Sequence, residues 1–466
     1  MATGRITGKK ASLTSIIIPT CNKWEYTKQC LESIRQFTDA PYELIVVDNG
    51  SQDVTVQELR RMEDVFLIEN NANLGFPRAC NQGMAQAKGD QLLILNNDIV
   101  VSRQWLSNML HCLNGDPRNG AVGPVTNYIS GVQARPVGYS SLAEYFEFVK
   151  DYNHSDPAKW FCTLRLVGFC LLIRRDVYEK VGGFDERFGK GNFEDDDYCM
   201  RMRRAGYRLV VAADTYIHHY GSVTNRMDPE YAQLLETNRL QFVSKWGIDP
   251  LQMLQYHDAL AAFLPPADRI LDAACGGGGL GLNLKNKGMP FVAGIESDAL
   301  LAVDARTVLD EVWVGDAETI RLPYPGGWFD AILLADALLH FANPKAALAH
   351  LATYLKQGGY VVASISNATY VGVIKKLLEG NGMRLELGRQ YNGNSALLSL
   401  DEIIWLFEQA GLQIETIGGM QEMDDKLEIM VHELLQLRER LGLGELVPSA
   451  LDQWKTKQYY IRAIKR

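Results

Sequence analysis

The segment Leu92-Leu93-Ile94-Leu95-Asn96-Asn97-Asp98-Ile99 constrains the fold of this chain more than any other. It is a short apolar run, entered from Gly89-Asp90 and left through two amides and a carboxylate. It reads as a buried parallel strand that delivers Asp98 at its carboxyl end. Ligands of open α/β sheets bind at that end. A carboxylate there either caps the following helix or holds a divalent cation, Mg²⁺ or Mn²⁺, against a departing diphosphate.

At 466 residues the chain predicts two or three domains. A net charge of -9 argues against nucleic acid, which needs a basic face, so anionic phosphate in a small ligand must be met locally. No apolar run approaches the roughly 18 residues that span a bilayer, and Met1-Ala2-Thr3-Gly4-Arg5 lacks a signal-peptide core. The expectation is a cytoplasmic protein with no transmembrane segment. Its eight cysteines form no CxxC pair and no metal-binding spacing, which predicts reduced, mostly buried thiols.

Leu13 to Pro19 reads as a strand closed by Thr20, and Thr27 to Phe37 as a helix with Cys30, Leu31, Ile34 and Phe37 inward. Glu43 to Val47 is a second strand, ending at Asp48, and Leu67-Ile68 begins a third. This alternation implies a parallel, doubly wound α/β sheet with Thr20 and Asp48 at the edge where a nucleotide would lie. Ser15-Ile-Ile-Ile-Pro-Thr20, Leu44-Ile-Val-Val-Asp-Asn-Gly-Ser51, Asn73-Leu-Gly-Phe76 with Asn81, and Leu95-Asn-Asn-Asp98 together resemble the successive motifs of family 2 glycosyltransferases with the GT-A fold. The resemblance implies that Pro19, Thr20, Asp48, Asn73, Asn97 and Asp98 contact a nucleotide-diphosphate sugar. It also makes Asp98, in Asn-Asn-Asp rather than a full Asp-x-Asp, the metal ligand.

Leu166 to Arg174 reads as another strand, and Glu194-Asp195-Asp196-Asp197 begins a helix. Acids in a first turn suit the helix dipole, and Asp197 can pair with Arg201 one turn on. Inverting sugar transfer also needs a carboxylate on the acceptor side to take the hydroxyl proton. The run is similar to the family's ED-x-D motif, which implies Asp195 as general base, Glu194 as its neighbour in the acceptor site, and Asp197 as structural. The resemblance further implies that either His218 or His219, after the strand from Arg208, closes over the diphosphate or metal.

Pro250 and Pro265-Pro266 break the pattern, placing a domain boundary near residue 250, with domains 1–250 and 251–466. Beyond it, Arg269-Ile-Leu-Asp-Ala-Ala-Cys-Gly-Gly-Gly-Gly-Leu-Gly281 is a strand entering a glycine-rich loop. Gly276, Gly278 and Gly281 satisfy GxGxxG, so an NAD-dependent domain is an alternative. Asp272 would, however, repel a pyrophosphate at that loop. The methionyl ammonium of S-adenosylmethionine (SAM), which carries no phosphate, suits a nearby acid, and Glu296 can accept both ribose hydroxyls.

With Gly315-Asp316-Ala317-Glu318, Trp328 to His340 and Leu355 to Val362, this order resembles class I SAM-dependent methyltransferases over about residues 255 to 420. The resemblance implies Asp272, Gly276 and Gly278 for the methionine part, Glu296 for ribose, and Asp316 with Ala317 for adenine. It places Asp336 or His340 near the sulfonium, with His340 the candidate base or simply a helix-start residue. Arg389 to Leu398 departs from the Thr-His-Leu-Arg segment common in that family. Asp401 to Ala410 and Lys426 to Leu441 read as helices, the latter with Leu427, Met430, Val431, Leu434 and Leu437 facing a core, and Tyr459 to Ile464 as a last strand.

The expected architecture is therefore α/β in two domains, a GT-A nucleotide-sugar-binding fold followed by a class I methyltransferase fold. The expected function is transfer of a sugar to a glycan or glycoconjugate acceptor plus methylation of a sugar. The alternative is a second half that only binds SAM or a partner.

Overall fold

The structure, a computed structural model, describes residues 12–221, 229–379, 398–443 and 448–466. Met1 to Arg5 and the departing segment 389–397 lie outside the described residues. The chain divides into two compact units, one ending at Leu254 and the other beginning at Gln255.

The first unit is built on β1 (Thr14–Thr20), β2 (Tyr42–Asp48), β3 (Val65–Glu69), β4 (Gln91–Leu95), β5 (Ile99–Val100), β6 (Asn119–Thr126), β7 (Trp160–Thr163), β8 (Cys170–Arg174) and β9 (Arg208–His219). Their order is β3-β2-β1-β4-β8-β6-β9-β5, with β7 also on β9. The aliphatic runs of β1, β2 and β4 are buried on both faces, as strands covered by helices require. The helix Trp24–Phe37 buries Cys30, Leu31 and Ile34, while Phe37 is only half-buried.

The parallel, doubly wound expectation holds for β3-β2-β1-β4 and gives way beyond β4. Strand β8 runs antiparallel to β4, with Cys170 opposite Leu95. The chain enters β8 at the carboxyl edge of β4, where the Asn96 amide donates to the Phe169 carbonyl at 2.9 Å, so it can only run back. The expected strand from Leu166 is likewise shorter. The amides of Leu166, Val167 and Gly168 donate to Cys199 Sγ, Gln133 Oε1 and Asp195 Oδ2, which leaves no ladder until Cys170.

The second unit contains β10 (Arg269–Asp272), β11 (Phe291–Glu296), β12 (Glu311–Val314), β13 (Phe329–Ala335), β14 (Leu355–Ser366), β15 (Leu412–Gln421) and β16 (Thr456–Lys465). Their order is β12-β11-β10-β13-β14-β16-β15. The first five are parallel to their neighbours, and β16 is antiparallel to both β14 and β15. The last strand therefore lies inside the sheet, and its first residues meet the carboxyl end of β14, with Ser366 opposite Gln458 and Ser364 opposite Tyr460.

The helix Leu400–Gln409 starts from a Ser399/Glu402 capping box. On the helix Asp425–Arg440, Leu427 and Val431 are buried while Leu437 is 42% exposed, a narrower stripe than the sequence suggests. No helix of the described residues is long and apolar enough to cross a membrane.

Candidate functional site

In the first unit the carboxyl ends of β1, β2 and β4 gather the polar residues picked out from the sequence. Asp48, 1% exposed, accepts the Gly50 and Ser51 amides on Oδ2, both at 3.0 Å, and its buried Oδ1 has no hydrogen-bond partner among the described residues. An orphaned acceptor at a strand end suits the donor groups of a nucleoside. Pro19 and Thr20 pair with Val47 and Asp48. The Thr20 hydroxyl lies 2.8 Å from that of Thr27, and Asn97 Nδ2 donates to both, so Asn97 braces the β1 end. Asn73 Oδ1 accepts the Gly75 amide.

Asp98 sits three residues past β4, and His219 Nε2 is 3.2 Å from its Oδ1. The register sets this choice: β9 pairs antiparallel with β5, and alternate residues of β9 face opposite ways. His218 turns to the Tyr139 hydroxyl, 2.7 Å from Nδ1, and burial with His219 nearby pushes its pKa down to about 4. His219 Nδ1 lies 2.7 Å from the Tyr128 carbonyl, which can only accept. In the neutral ring Nε2 therefore carries a lone pair aimed at a carboxylate, and two such acceptors suit a shared cation. Among the described residues no group of three or more His, Cys, Asp or Glu could hold a metal. A hard ion at Asp98 and His219 would take its remaining ligands from phosphate and water.

The acid run lies where residues 166–169 return to the sheet. Glu194, Asp195, Asp196 and Asp197 are all buried at the start of the helix Glu194–Arg204. Asp197 is fully paired, with Arg201 at 2.9 Å, Lys245 at 2.5 Å and the Trp246 indole at 2.9 Å. Asp195 accepts the Gly168 amide at 3.3 Å and the Asp196 amide at 2.9 Å, with Arg165 at 3.7 Å; Arg165 also lies 3.1 Å from Asp196. Burial raises Glu194 well above the carboxylate range and Asp196 to about 7, and Arg165 opposes both. Phe169 was missed in the sequence because it belongs to a segment that reads as plain strand, and Arg165 because it stands just before that strand with no motif of its own.

In the second unit a cavity of about 380 Å³ is lined by Glu296, Asp316, Ala317 and His340, with Ile295 and Phe341 among its apolar residues. Glu296 accepts the Gly276 amide at 2.7 Å and the Asp298 amide at 2.8 Å, and burial raises its pKa. Gly276 and Gly278 have φ of +52° and +87°, which glycine adopts freely, so the loop after β10 turns tightly; neither glycine lines the cavity. Asp272 is 1% exposed, and burial pushes it up to about 7 against the opposing pull of the Ala274 amide. Two buried acids beside the glycine loop fit a cationic, phosphate-free cofactor and oppose a pyrophosphate. His340 is half-buried in the cavity wall, and burial lowers its pKa. Asp336 is not among the lining residues; its Oδ1 accepts from Gln458 Nε2 at 2.6 Å.

Residues 15–182 match the family model for Glycosyl transferase family 2, and residues 246–417 match the model for a Methyltransferase domain. The chain is 31% identical over 229 residues to an uncharacterized protein of Sinorhizobium fredii, covering 46% of this chain and 25% of the relative. It is 29% identical over 227 residues to an O-antigen biosynthesis protein of Myxococcus xanthus, covering 46% and 18%. A third relative, the N-acetylglucosaminyl-diphospho-decaprenol L-rhamnosyltransferase of Mycobacterium tuberculosis, is 26% identical over 245 residues, covering 46% of this chain and 78% of its own. The chain thus spans a quarter or less of the first two relatives.

Proposed function

Because the chain carries a family 2 glycosyltransferase domain followed by a methyltransferase domain, we propose that it transfers a sugar from a nucleotide diphosphate to a glycan with inversion and methylates a sugar hydroxyl. The observation that carries the reading is continuity within the first unit. Asp195 binds the Gly168 amide, and the next residue, Phe169, stacks on His219, whose Nε2 faces Asp98.

In this reading Asp195 takes the proton of the acceptor hydroxyl, whose oxygen attacks the anomeric carbon from the face opposite the diphosphate. The bond from anomeric carbon to phosphate oxygen breaks, and its electron pair leaves with the diphosphate. A Mg²⁺ or Mn²⁺ ion, when bound at Asp98 and His219, neutralises that charge. Burial raises the Glu194 pKa and so favours its neutral form, which lessens the negative charge beside Asp195. Asp48, Thr20 and Pro19 line the nucleoside side. The O-antigen and rhamnosyltransferase relatives support a bacterial surface glycan as the destination.

In the second unit Glu296 would hold the ribose hydroxyls, Asp272 the methionyl ammonium, and Asp316 with Ala317 the adenine. SAM supplies an activated methyl group, and the chain's task is to hold a nucleophile in line with it. The test is calorimetry with SAM and NAD, together with turnover of UDP-, dTDP- and GDP-sugars with Mn²⁺, on wild type, Asp98→Ala and Glu296→Ala. SAM binding that Glu296→Ala abolishes, and turnover that Asp98→Ala abolishes, are expected. Binding of NAD in place of SAM overturns the second half of the proposal.

A further inference from the structure

Asp336 is the one non-glycine residue in the second unit's strand ends, among those described, with a left-handed backbone, at φ +55°. Such a conformation persists only where the surroundings impose it, and it concentrates at sites of function. Here the imposition is visible. The Asp336 amide donates to the Ser364 carbonyl at 3.2 Å and lies 3.0 Å from the Ser364 hydroxyl. Its Oδ1 accepts from Gln458 Nε2 at 2.6 Å, and Gln458 Oε1 accepts from the Tyr460 hydroxyl at 2.9 Å. Both ends of the Gln458 amide are used, so its orientation is fixed, and with it that of the carboxylate. Oδ2 of Asp336 makes no hydrogen bond among the described residues.

The position matters as much as the bonds. Along the sheet edge, Asp316 follows β12, Glu296 ends β11, Asp272 ends β10 and Asp336 follows β13, and next come the β14 end and the start of β16. A cofactor held from adenine to ammonium by the first three would bring its reactive end toward the β13 end, where Asp336 stands. Ala335 and Ala337 line the cavity on either side of Asp336, whose side chain is drawn off toward β16. His257 and His340 both lie close enough to feel the Asp336 charge, and burial lowers the pKa of both imidazoles. Lys457, the nearest cation in sequence, is paired with Glu422 at 2.5 Å. A carboxylate, an amide and a phenol recognise hydroxyl groups, and the carboxylate disfavours an anion beside it.

We propose that Asp336 is the residue that receives the proton of the methyl-accepting hydroxyl, that Gln458 and Tyr460 are its positioning residues, and that the acceptor is an uncharged polyhydroxylated compound. The inference rests on the methyltransferase reading. In the step, the hydroxyl oxygen forms a bond to the methyl carbon as the O–H pair collapses onto oxygen, and the proton goes to Asp336 Oδ2. The carbon–sulfur bond breaks with its electron pair returning to sulfur, which leaves a neutral thioether.

The test uses the full chain and two readouts. Calorimetry measures SAM affinity. Saturation-transfer NMR, with S-adenosylhomocysteine present, measures contact with methyl α-L-rhamnoside, methyl α-D-mannoside, methyl β-D-glucoside and the anionic methyl β-D-glucuronide; methyl transfer to the same panel is followed with labelled SAM. Asp336→Asn tolerates the left-handed backbone and still accepts from Gln458, so it preserves the fold. It is expected to keep SAM affinity within about twofold and to lower methyl transfer at least about 100-fold. Gln458→Leu and Tyr460→Phe are expected to lower kcat with the KM for SAM unchanged and to weaken the neutral-glycoside signal. Undiminished methyl transfer in Asp336→Asn, contact only with the glucuronide, or no contact with any neutral glycoside in a SAM-binding wild type overturns the proposal. Failure of wild type to bind SAM is a different result, which removes the cofactor reading and this inference with it.

Discussion

The Phe169 ring lies stacked against the imidazole of His219, with centroids 5.4 Å apart and planes 21° from parallel. Phe169 is bonded in sequence to Gly168, whose amide holds Asp195, and His219 in turn faces Asp98. Two acids nearly one hundred positions apart in sequence are thereby joined through a single dipeptide and one ring.

Phe169→Leu keeps most of the buried volume but removes the stack, worth about 1 kcal/mol beyond its area. The expected outcome is a five- to tenfold rise in the Mn²⁺ concentration needed for half-maximal sugar transfer, about 1 to 1.4 kcal/mol. The fold, followed by circular dichroism, should be retained. An unchanged Mn²⁺ requirement contradicts the role given to the stack.

Arg165 faces Asp195 and Asp196 from a segment outside their helix. Removing a buried cation from its carboxylates is expected to cost about 3–5 kcal/mol of stability. Arg165→Met should therefore lower the denaturant midpoint and abolish sugar transfer. Arg165→Lys, which keeps the charge but not the planar fork, should restore stability more than activity. Equal behaviour of the two variants would count against the argument.

Asp272 gives the second unit a pH signature. Its folded pKa, about 7, lies above its ordinary 3.8, so the favourable contribution is fully present below about pH 4. As pH rises toward 7 the unfolded chain releases this proton while the folded one retains it, and stability falls, levelling off above 7. At about 1.4 kcal/mol per unit the loss is on the order of 4–5 kcal/mol, and Glu296, also raised by burial, adds in the same direction. Asp272→Asn should flatten this part of the stability profile in chemical denaturation between pH 4 and 8.

In the proposed SAM site the same titration is expected to set cofactor affinity. An ammonium held by Asp272 would favour the ionised carboxylate, so binding below pH 7 would require loss of a proton from the carboxyl. Calorimetric affinity for SAM should rise toward pH 7 by up to tenfold per unit and then level. Asp272→Asn should bind more weakly and without that slope. A wild-type affinity flat from pH 5.5 to 7.5 contradicts the placement of the ammonium.

Much of this was legible in the sequence because strand ends announce themselves locally. Ile-Ile-Ile-Pro-Thr20, Ile-Val-Val-Asp48 and Leu-Ile-Leu-Asn-Asn-Asp98 each pass from apolar to polar within two or three residues, and the structure puts all three on one edge. What depended on distant partners was not legible. The strand expected from Leu166 dissolves because Gln133, Cys199 and Asp195 capture its amides. His219 was indistinguishable from His218 until the β5–β9 register was known. Gln458 lay just outside the last strand expected from Tyr459, and the strand's longer span and the insertion of β16 between β14 and β15 bring it to Asp336.

The most direct measurement of the central claim is the electron paramagnetic resonance titration of Mn²⁺ into the chain with UDP, dTDP or GDP present. The account predicts that Asp98→Ala and His219→Ala lose nucleotide-dependent Mn²⁺ binding, while Asp195→Asn binds as wild type and yet fails to transfer sugar. Retention of that binding in Asp98→Ala, or sugar transfer at the normal rate in Asp195→Asn, would contradict it.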